Sequence, residues 1–183
     1  MPTALLWFRR DLRLGDHPAL LAAREAAGDD GTVLPVFVFD DRLWGPSGAP
    51  RRRFLLDCLD DLRTATAGAL VLRHGDPVRI VQQLADEVGA TSVHVSADTG
   101  PYGRRRDTAV ETGLGEVPLV RTGSPYLVAP GRVTKRDGTP FQVFTPFARA
   151  WREHGWHDPA PRPGVVPWLT GVCSDDLPAS PDY

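Results

Sequence analysis

The chain has 183 residues, enough for about one domain, and a net charge of −2 from 21 Lys and Arg against 23 Asp and Glu. A composition of 42% hydrophobic and 24% charged residues is that of an ordinary globular protein and excludes an intrinsically disordered chain. The near-neutral charge excludes general electrostatic binding to nucleic acid, so any DNA contact would need a local basic patch.

Short apolar runs alternate with helical patterns along the first 125 residues. The predicted strands are residues 4–8, 33–39, 69–74, 92–95 and 118–121. Helices are predicted between them, over 17–27, 50–67, from 76 to the glycine at 89, and around 103–112. Strands joined by helices of this length form parallel sheets through right-handed crossovers. The sequence therefore predicts an α/β, Rossmann-like three-layer α/β/α fold with a five-stranded parallel sheet.

Local signals predict how individual elements begin and which faces they bury. Asp16 is expected to cap the first helix, and Thr145 the last, which runs to about residue 153. Pro35 is expected near the start of its strand or at an exposed edge, because it lacks an N–H donor. One-face spacing on the helix over 50–67 predicts that its buried residues are Phe54, Leu55, Cys58, Leu59 and Leu62.

The regular alternation ends after residue 123. Residues 131–144 resemble a hairpin with its turn at Asp137-Gly138. Six of the 25 residues from 159 to 183 are proline, which favours an extended linker over a packed domain. We therefore divide the chain into an α/β domain over residues 1–157 and a Pro-rich inter-domain linker over 158–183. A linker at this place leads us to expect a further domain beyond it.

The cysteines and apolar runs bear on the location of the protein. Cys58 and Cys173 do not make a disulfide framework, and the chain has no C-x-x-C pair for zinc. His154 and His157 lack a nearby third ligand, so no metal site is expected. The apolar run over 4–8 is too short for a signal peptide or a membrane span. These features predict a cytoplasmic protein with no membrane partner.

Polar residues cluster where the predicted strands end, which is where ligands bind in parallel α/β sheets. Three of four strand ends carry an acidic residue within two positions, so a ligand with hydrogen-bonding edges is expected there. These ends are Phe8-Arg9-Arg10, Phe39-Asp40-Asp41, His74-Gly75-Asp76 and Ser96-Ala97-Asp98. The chain has neither G-x-G-x-x-G after its first strand nor G-x-x-x-x-G-K-[ST], which argues against a dinucleotide fold or a P-loop ATPase.

Four ordered motifs, over residues 1 to about 157, resemble the N-terminal α/β half of DNA photolyases and cryptochromes. They are Trp7-Phe8-Arg9-Arg10-Asp11-Leu12-Arg13-Leu14-Gly15-Asp16, Asp40 followed by Pro50-Arg51-Arg52, Pro101-Tyr102-Gly103-Arg104-Arg105-Arg106-Asp107, and Thr145-Pro146-Phe147-x-x-x-Trp151. The resemblance implies that this half holds an antenna pigment. It also implies that a C-terminal helical domain, absent from this sequence and joined in cis or in trans, holds the catalytic FAD and repairs flipped-out pyrimidine dimers.

The resemblance implies 8-hydroxy-5-deazaflavin as the pigment, because the P-Y-G-R-x-R-D form of one motif is closest to the deazaflavin branch. Methenyltetrahydrofolate, FMN or FAD as antenna are the alternatives. Asp98 aligns with the acid that meets the pigment's edge, and Arg52 with an arginine that could pair with its anionic oxygen. The candidate pigment-binding residues are Arg9, Arg10, Phe37, Asp40, Arg52, Asp98, Tyr102 and Arg106.

Each candidate also has a structural interpretation. Asp98 could be a loop or helix-capping residue, Arg52 a solvated helix surface, Phe37 plain core, and Arg9 and Arg10 an inter-domain contact. The run Arg104-Arg105-Arg106 favours a solvated helix start paired with Asp107 and Glu111 over a DNA contact, and Cys58 favours packing.

The sequence thus predicts the light-harvesting antenna domain of a deoxyribodipyrimidine photo-lyase, which supports light-driven DNA repair by the FAD domain. By itself the chain would be inactive as a lyase, and damaged DNA would be contacted only through that second domain. The alternatives are a cryptochrome-like blue-light photoreceptor domain, a stand-alone α/β nucleotide-binding module for ATP-like ligands, and a scaffold that binds nothing.

Overall fold

Five parallel strands form the centre of the fold in a computed structural model that describes residues 1–179. The sheet has the order β3-β2-β1-β4-β5, and all four strand pairs are parallel, which confirms the predicted fold class. The elements are β1 (Thr3–Phe8), α1 (Pro18–Ala27), β2 (Thr32–Phe39), α2 (Asp41–Trp44), α3 (Ala49–Ala65), β3 (Val71–His74), α4 (Pro77–Val88), β4 (Ala90–Val95), α5 (Pro101–Leu114), β5 (Leu119–Arg121) and α6 (Phe144–His154).

Two apolar layers cover the two faces of the sheet. Along β1, Leu5 and Trp7 pack into the layer that α4 and α5 complete, whereas Leu6 and Phe8 pack into the layer with α1 and α3. This alternation follows from the two-residue period of a strand. All six residues of β1 are buried, as expected for the central strand of a parallel sheet covered on both sides.

The order of the strands reverses between β1 and β4. Successive crossovers place β2 and β3 on one side of β1, and β4 and β5 on the other. At such a switch point the connecting loops diverge and leave a crevice at the carboxyl ends of the strands. The fold therefore brings the loops after β1, β2 and β4 together around one opening.

The first helix uses a cap that differs from the predicted one. His17 caps α1, because its Nδ1 accepts a hydrogen bond from the backbone N–H of Leu20 at 3.1 Å. Asp16 instead has a positive φ of 49°, and its carboxylate accepts from the backbone N–H of Ala160 at 2.9 Å. The prediction for Asp16 is wrong because its side chain serves a contact distant in sequence. Helix α4 has the predicted bounds, since Asp76 caps its start and the left-handed Gly89 ends it.

The region after β5 differs from prediction in two places. A turn closes at Asp137-Gly138, with Lys135 N–H donating to the Thr139 carbonyl at 2.9 Å, but no strand flanks it among residues 131–144. Helix α6 begins one residue before Thr145, so the cap position falls on Val143, whose side chain offers no acceptor. Thr145 therefore lies inside the first turn, not at the cap.

Helix α3 buries Leu59 and Leu62 as predicted, but Leu56 completes the buried row in place of Phe54 and Cys58. Leu56, Leu59 and Leu62 are the fully buried ones, spaced three residues apart. Phe54 is 71% exposed and Cys58 half-buried, because the helix is rotated so that these two lie at the rim of the opening described below. Cys58 therefore belongs to a cavity wall more than to the core.

Residues 166–177, here called the edge strap, bind the side of the sheet next to β2 and β3. Val33 donates to the Pro167 carbonyl and accepts from Leu169 N–H, both at 2.9 Å. Farther along, the backbone N–H of Leu72 donates to the Ser174 hydroxyl, and the Leu72 carbonyl accepts from Asp175 N–H. The backbone N–H of His74 donates to the Asp175 carboxylate, so the strap bonds to the outer side of β3. The Pro-rich segment is thus extended as predicted, but it is bonded to the domain and covers the edge strand. The boundary at residues 157/158 remains a prediction.

The strap also explains an inner-strand proline. Pro35 lies inside β2, contrary to the expectation of a strand start or exposed edge. Val33 faces the strap with both its N–H and its carbonyl, so the nitrogen of Pro35, two residues on, points to the same side. Pairing with β3 begins only at Val36, so this position loses no ladder bond.

Among residues 1–179 no helix has the length and hydropathy that crossing a bilayer demands.

Candidate functional site

A cleft of about 550 Å³ opens at the carboxyl ends of β1 and β2 and against the start of α5. This volume lies within the range of roughly 300–1,000 Å³ typical of small-molecule and cofactor sites. All eight residues predicted from the sequence line it: Arg9, Arg10, Phe37, Asp40, Arg52, Asp98, Tyr102 and Arg106. The fold therefore brings the whole predicted set together, and their binding of a ligand stays a prediction.

Asp98 stands at the end of β4, with its side chain 13% exposed at the cleft wall. One carboxylate oxygen accepts from the backbone N–H of Gly100 at 3.1 Å, and the other lies 3.4 Å from Arg106 Nη2. The carboxylate packs directly on Gly103, where an added Cβ would lie 2.2 Å from Asp98 Cγ. Only glycine at position 103 leaves the carboxylate room in this place.

Two arginines of the cleft are buried and paired with carboxylates. Arg9 donates to Asp107 and to the backbone carbonyl of Ser96, and Arg106 donates to Asp107 at 2.9 Å. Their side chains are 9% and 7% exposed. Burial, followed by the charge of Arg106, lowers the pKa of the Arg9 guanidinium. These contacts attach the end of β1 to β4 and α5.

The basic run at the start of α5 divides between surface and interior. Arg104 and Arg105 are exposed, as expected of a solvated helix start. Arg106 is buried against Asp98 and Asp107, so the solvated interpretation is wrong for this residue. Glu111 pairs with Arg121 at 2.9 Å instead of with the run.

Asp40 connects two walls of the cleft. One of its oxygens caps α2 by accepting from the backbone N–H of Arg42 at 3.0 Å, and the other accepts from the hydroxyl of Tyr102. Burial and the adjacent carboxylate raise the pKa of Tyr102 to about 12. Tyr102 therefore keeps its proton at neutral pH and holds α5 against α2.

Arg52 is committed to the other end of α2. Its Nε donates to the carbonyl of Trp44 at 3.1 Å, and its Nη2 donates to the carbonyl of Gly45. The guanidinium carbon lies 5.1 Å from the centroid of the Trp44 ring. The solvated-surface interpretation of Arg52 is therefore wrong, because its donors satisfy the last carbonyls of a helix.

Arg10 and Arg51 keep guanidinium donors that no hydrogen bond within residues 1–179 uses. The Arg10 side chain is 56% exposed, 4.0 Å from Asp98 and 5.5 Å from the ring centroid of Tyr126. Arg51, on α3, is exposed and also lines the cleft. Phe37 supplies an apolar wall, 6% exposed and packed edge-to-face on Phe39. The cleft thus combines an apolar floor with a cationic mouth.

Several residues that line the cleft were not among the candidates named from the sequence: Trp7, Trp44, Arg51, Phe54 and Cys58. Arg51, Phe54 and Cys58 follow one another at helical spacing on α3, which could have indicated a shared face. The position of Trp44 depends on α2, a four-residue helix that the sequence pattern did not reveal.

A buried polar cluster lies beside the cleft. Asp11 accepts a hydrogen bond from the hydroxyl of Ser96, and its Oδ2 lies 3.2 Å from Nε2 of His17. Burial lowers the pKa of the His17 imidazole. The serine donates to the carboxylate and not to the histidine, so this cluster lacks the base that would activate a nucleophile. It fixes the loop after β1 to β4 and α1.

Comparison with known proteins gives one family. The family model described as DNA photolyase matches residues 4–164. An uncharacterized 31.6 kDa protein of Synechococcus sp. (strain PCC 6716) is 36% identical over 190 residues, covering 99% of this chain and 66% of its own length. A deoxyribodipyrimidine photo-lyase of Streptomyces griseus is 35% identical over 187 residues, covering 97% of this chain and 40% of that protein.

Solved structures agree with this result. A bacterial class III photolyase from Agrobacterium tumefaciens superposes with a TM-score of 0.82 and 31% identity, over 97% of this chain and 37% of that one. An archaeal photolyase from Sulfolobus tokodaii, described with two FAD molecules and a novel light-harvesting cofactor, has a TM-score of 0.72 and 21% identity, over 87% and 36%. The second similarity bears on the fold alone.

Proposed function

This chain belongs to the DNA photolyase family, and we propose that it serves as the light-harvesting antenna domain of a deoxyribodipyrimidine photo-lyase. The observation that carries the proposal is the cleft at the switch point, about 550 Å³ in volume and lined by all eight candidate residues named from the sequence. A flavin- or folate-type chromophore is the ligand class. When bound, it absorbs light and passes the excitation to a second cofactor.

The residues of the cleft fit such a chromophore. Phe37 and Phe54 provide apolar surface for a planar ring system, which a cofactor site needs over most of its lining. Asp98 is the one lining carboxylate at the start of α5, and it can accept from a ring N–H or hydroxyl. Arg10 and Arg51 can pair with an acidic group at the mouth. These groups bind and orient the ligand, and no bond is made or broken.

Within this class of chromophores, we propose 8-hydroxy-5-deazaflavin as the ligand of the cleft. Its ring edge would meet Asp98, and its anionic groups would meet the guanidiniums of Arg10 and Arg51, which form no hydrogen bond within residues 1–179. Methenyltetrahydrofolate, FMN and FAD are the other outcomes of the same test. Arg52, Arg9 and Arg106 are less suited to pairing with a ligand oxygen, because their donors already serve carbonyls and carboxylates.

The relatives are longer than this chain, so the catalytic part of the proposed function is assigned to a second domain. The chain covers 66% and 40% of the lengths of the two relatives described above. We propose a C-terminal FAD-binding helical domain in cis, which would contact damaged DNA and carry out the repair. A cryptochrome-like photoreceptor would use the same cleft, and repair activity of the longer product separates these two functions.

The test is a titration of the chain with 8-hydroxy-5-deazaflavin, followed by absorbance and fluorescence, with FAD, FMN, methenyltetrahydrofolate and ATP as comparators. We expect saturable binding of the deazaflavin and a loss of about tenfold in affinity for Asp98→Asn, the effect of one charge-assisted hydrogen bond. Arg10→Ala and Arg51→Ala should weaken binding similarly, whereas Arg104→Ala, exposed on α5 and outside the lining, should not. Absence of saturable binding by every pigment would refute the proposal.

A further inference from the structure

Every tryptophan and tyrosine that lines the cleft has a guanidinium close to its ring. We call Trp7, Trp44 and Tyr102 the cleft aromatics. The guanidinium carbons of Arg9 and Arg106 lie 4.8 and 5.1 Å from the Trp7 centroid. The corresponding distances are 5.1 Å for Trp44 and 5.7 Å for Tyr102. The arginines that make these contacts, here called the facing arginines, are Arg9, Arg52 and Arg106.

The other tryptophans of the described chain lack this arrangement. Trp151 and Trp156 pack on each other with their centroids 4.9 Å apart, and Trp168 lies in the edge strap. Within residues 1–179 none of these three has a guanidinium over its ring, in contrast to both tryptophans of the cleft. Among the tryptophans within residues 1–179, a guanidinium over the ring is therefore found only in the cleft; outside the cleft lining, the ring of Tyr126 has Arg10 at 5.5 Å.

Indole and phenol are the side chains most easily oxidised by one electron, and a photoexcited chromophore is a strong electron acceptor. A cation near the ring stabilises the neutral, electron-rich state through its quadrupole. If the ring loses an electron it becomes positive, and the same cation then repels it. The effect is strong where water is excluded, and the side chains of Arg9 and Arg106 are nearly fully buried.

We propose that the facing arginines suppress electron transfer from the cleft aromatics to a photoexcited ligand, so that its excitation is kept for transfer onward. The inference rests on the proposed light-harvesting function and assigns these residues a photophysical role in it. The suppressed step moves one electron from an aromatic ring to the ligand, with no bond broken. Its products are a ring radical cation and a ligand carrying one extra electron, whose recombination would lose the excitation as heat.

A purely structural role of the same arginines must be separated from this one. Arg52 caps α2, and Arg9 and Arg106 attach α5, so replacing them can loosen the cleft. Loosening would change the behaviour of a bound ligand whether or not an oxidisable ring is present. Electron transfer, in contrast, requires the indole. If the arginine acts by suppressing electron transfer, its replacement changes the excited state of the ligand only while the indole is present.

The experiment measures the fluorescence lifetime of 8-hydroxy-5-deazaflavin bound at saturation to the full chain, to three variants at Arg52 and Trp44, and to one control variant. Arg52 is half-buried, and Arg52→Gln keeps a side-chain donor for the end of α2. We expect Trp44→Phe to leave the lifetime unchanged and Arg52→Gln to shorten it. The quenching rate should rise about fivefold, the factor equivalent to one cation–π contact of about 1 kcal/mol. The double variant Arg52→Gln/Trp44→Phe should restore the lifetime.

Arg53→Gln is the matched control, because Arg53 is adjacent on α3, exposed, paired with Asp57, and outside the cleft lining. It should leave the lifetime unchanged. An unchanged lifetime in Arg52→Gln overturns the inference, as does a lifetime that stays short in the double variant. A longer lifetime in Trp44→Phe alone also overturns it, since Trp44 would then quench despite its arginine.

A second measurement does not depend on a bound antenna pigment. Dissolved riboflavin is irradiated with the chain, and oxidation of Trp44 is quantified by peptide mass spectrometry relative to Trp156, which is 54% exposed. The ratio should rise about fivefold in Arg52→Gln and stay constant in Arg53→Gln. If no pigment binds the chain, the proposed function fails while this ratio still decides the inference; an unchanged ratio overturns it.

Discussion

Replacing Gly103 by alanine tests whether the position of Asp98 depends on a close approach to helix α5. An ideal Cβ at position 103 would lie 2.2 Å from both Cγ and Oδ2 of Asp98, and 2.7 Å from its Cβ. Atoms in contact normally lie about 3.5–4.0 Å apart. The short distance to Asp98 Cβ means that rotation of the carboxylate is not enough, and the loop after β4 must shift by roughly 1 Å.

The energy follows from two opposing effects. Overpacking of this kind destabilises by about 1–3 kcal/mol. Alanine in place of glycine inside a helix stabilises by up to about 1 kcal/mol. Gly113 of the same helix provides the control, because a Cβ added there would have Gln82 Oε1 and Val78 Cγ1 as its nearest neighbours, both at 3.6 Å. We expect Gly103→Ala to lower the free energy of unfolding by about 1–2 kcal/mol and Gly113→Ala to raise it by about 0.5–1 kcal/mol.

Urea denaturation gives these free energies, and the pigment titration gives the functional effect. Displacement of Asp98 from the wall should weaken deazaflavin binding to Gly103→Ala, with Gly113→Ala binding like the original chain. If Gly103→Ala proved as stable as Gly113→Ala and bound pigment equally well, the close approach of Asp98 to α5 would be wrong.

Three further predictions concern other parts of the molecule. Burial lowers the pKa of His17, so the unfolded chain binds more protons below about pH 6.5. The contribution of His17 to the free energy of unfolding is therefore fully present above that pH and is lost as the pH decreases below it. His17→Asn, which keeps a capping acceptor, should make the free energy of unfolding measured in urea depend less on pH. Ultraviolet titration should show a tyrosine that ionises at about pH 12. Tyr102→Phe should remove this ionisation, and Asp40→Asn should lower its pKa. An ionisation step that neither substitution changes would contradict the assignment to Tyr102. The backbone N–H of His74 donates a hydrogen bond to the Asp175 carboxylate, so Asp175→Ala should lower the free energy of unfolding by about 1 kcal/mol and speed amide exchange at His74. Unaltered exchange would mean that the edge strap does not protect β3.

The cleft has its particular chemistry because charges and rings are arranged before any ligand arrives. Arg9 and Arg106 share Asp107, and Asp40 holds Tyr102. These bonds fix the wall side chains in single positions, which reduces the ordering that a ligand must impose on binding. The guanidinium donors of Arg10, which form no hydrogen bond within residues 1–179, are then available for the ligand itself.

The number of strands, their parallel direction and the chemistry of their ends were predictable from the sequence, whereas their order in the sheet was not. Continuous apolar runs indicated buried parallel strands, and the period of the helices between them indicated crossovers. Because the carboxyl ends of parallel strands meet at one edge, Arg9, Asp40 and Asp98 could be placed near one another without coordinates. The motif resemblance added the residues of α3 and α5, and all eight line the cleft.

The tertiary structure decides which partner each side chain contacts. The sequence could not reveal that Asp16 bonds to Ala160 while His17 caps α1, since that contact joins residues 144 apart. Nor could it show that the Pro-rich segment covers β3, because its composition is equally that of a free linker.

Arg52 and Arg106 show the same limit within the cleft. In sequence each belongs to a run of three arginines, and neighbouring residues in such a run are chemically identical. Only the rotation of α3 and α5 about their axes distinguishes the arginine that faces an aromatic ring from those that face solvent. That rotation is set by which leucines and valines fit the sheet, a packing property summed over many residues and therefore not contained in any local pattern.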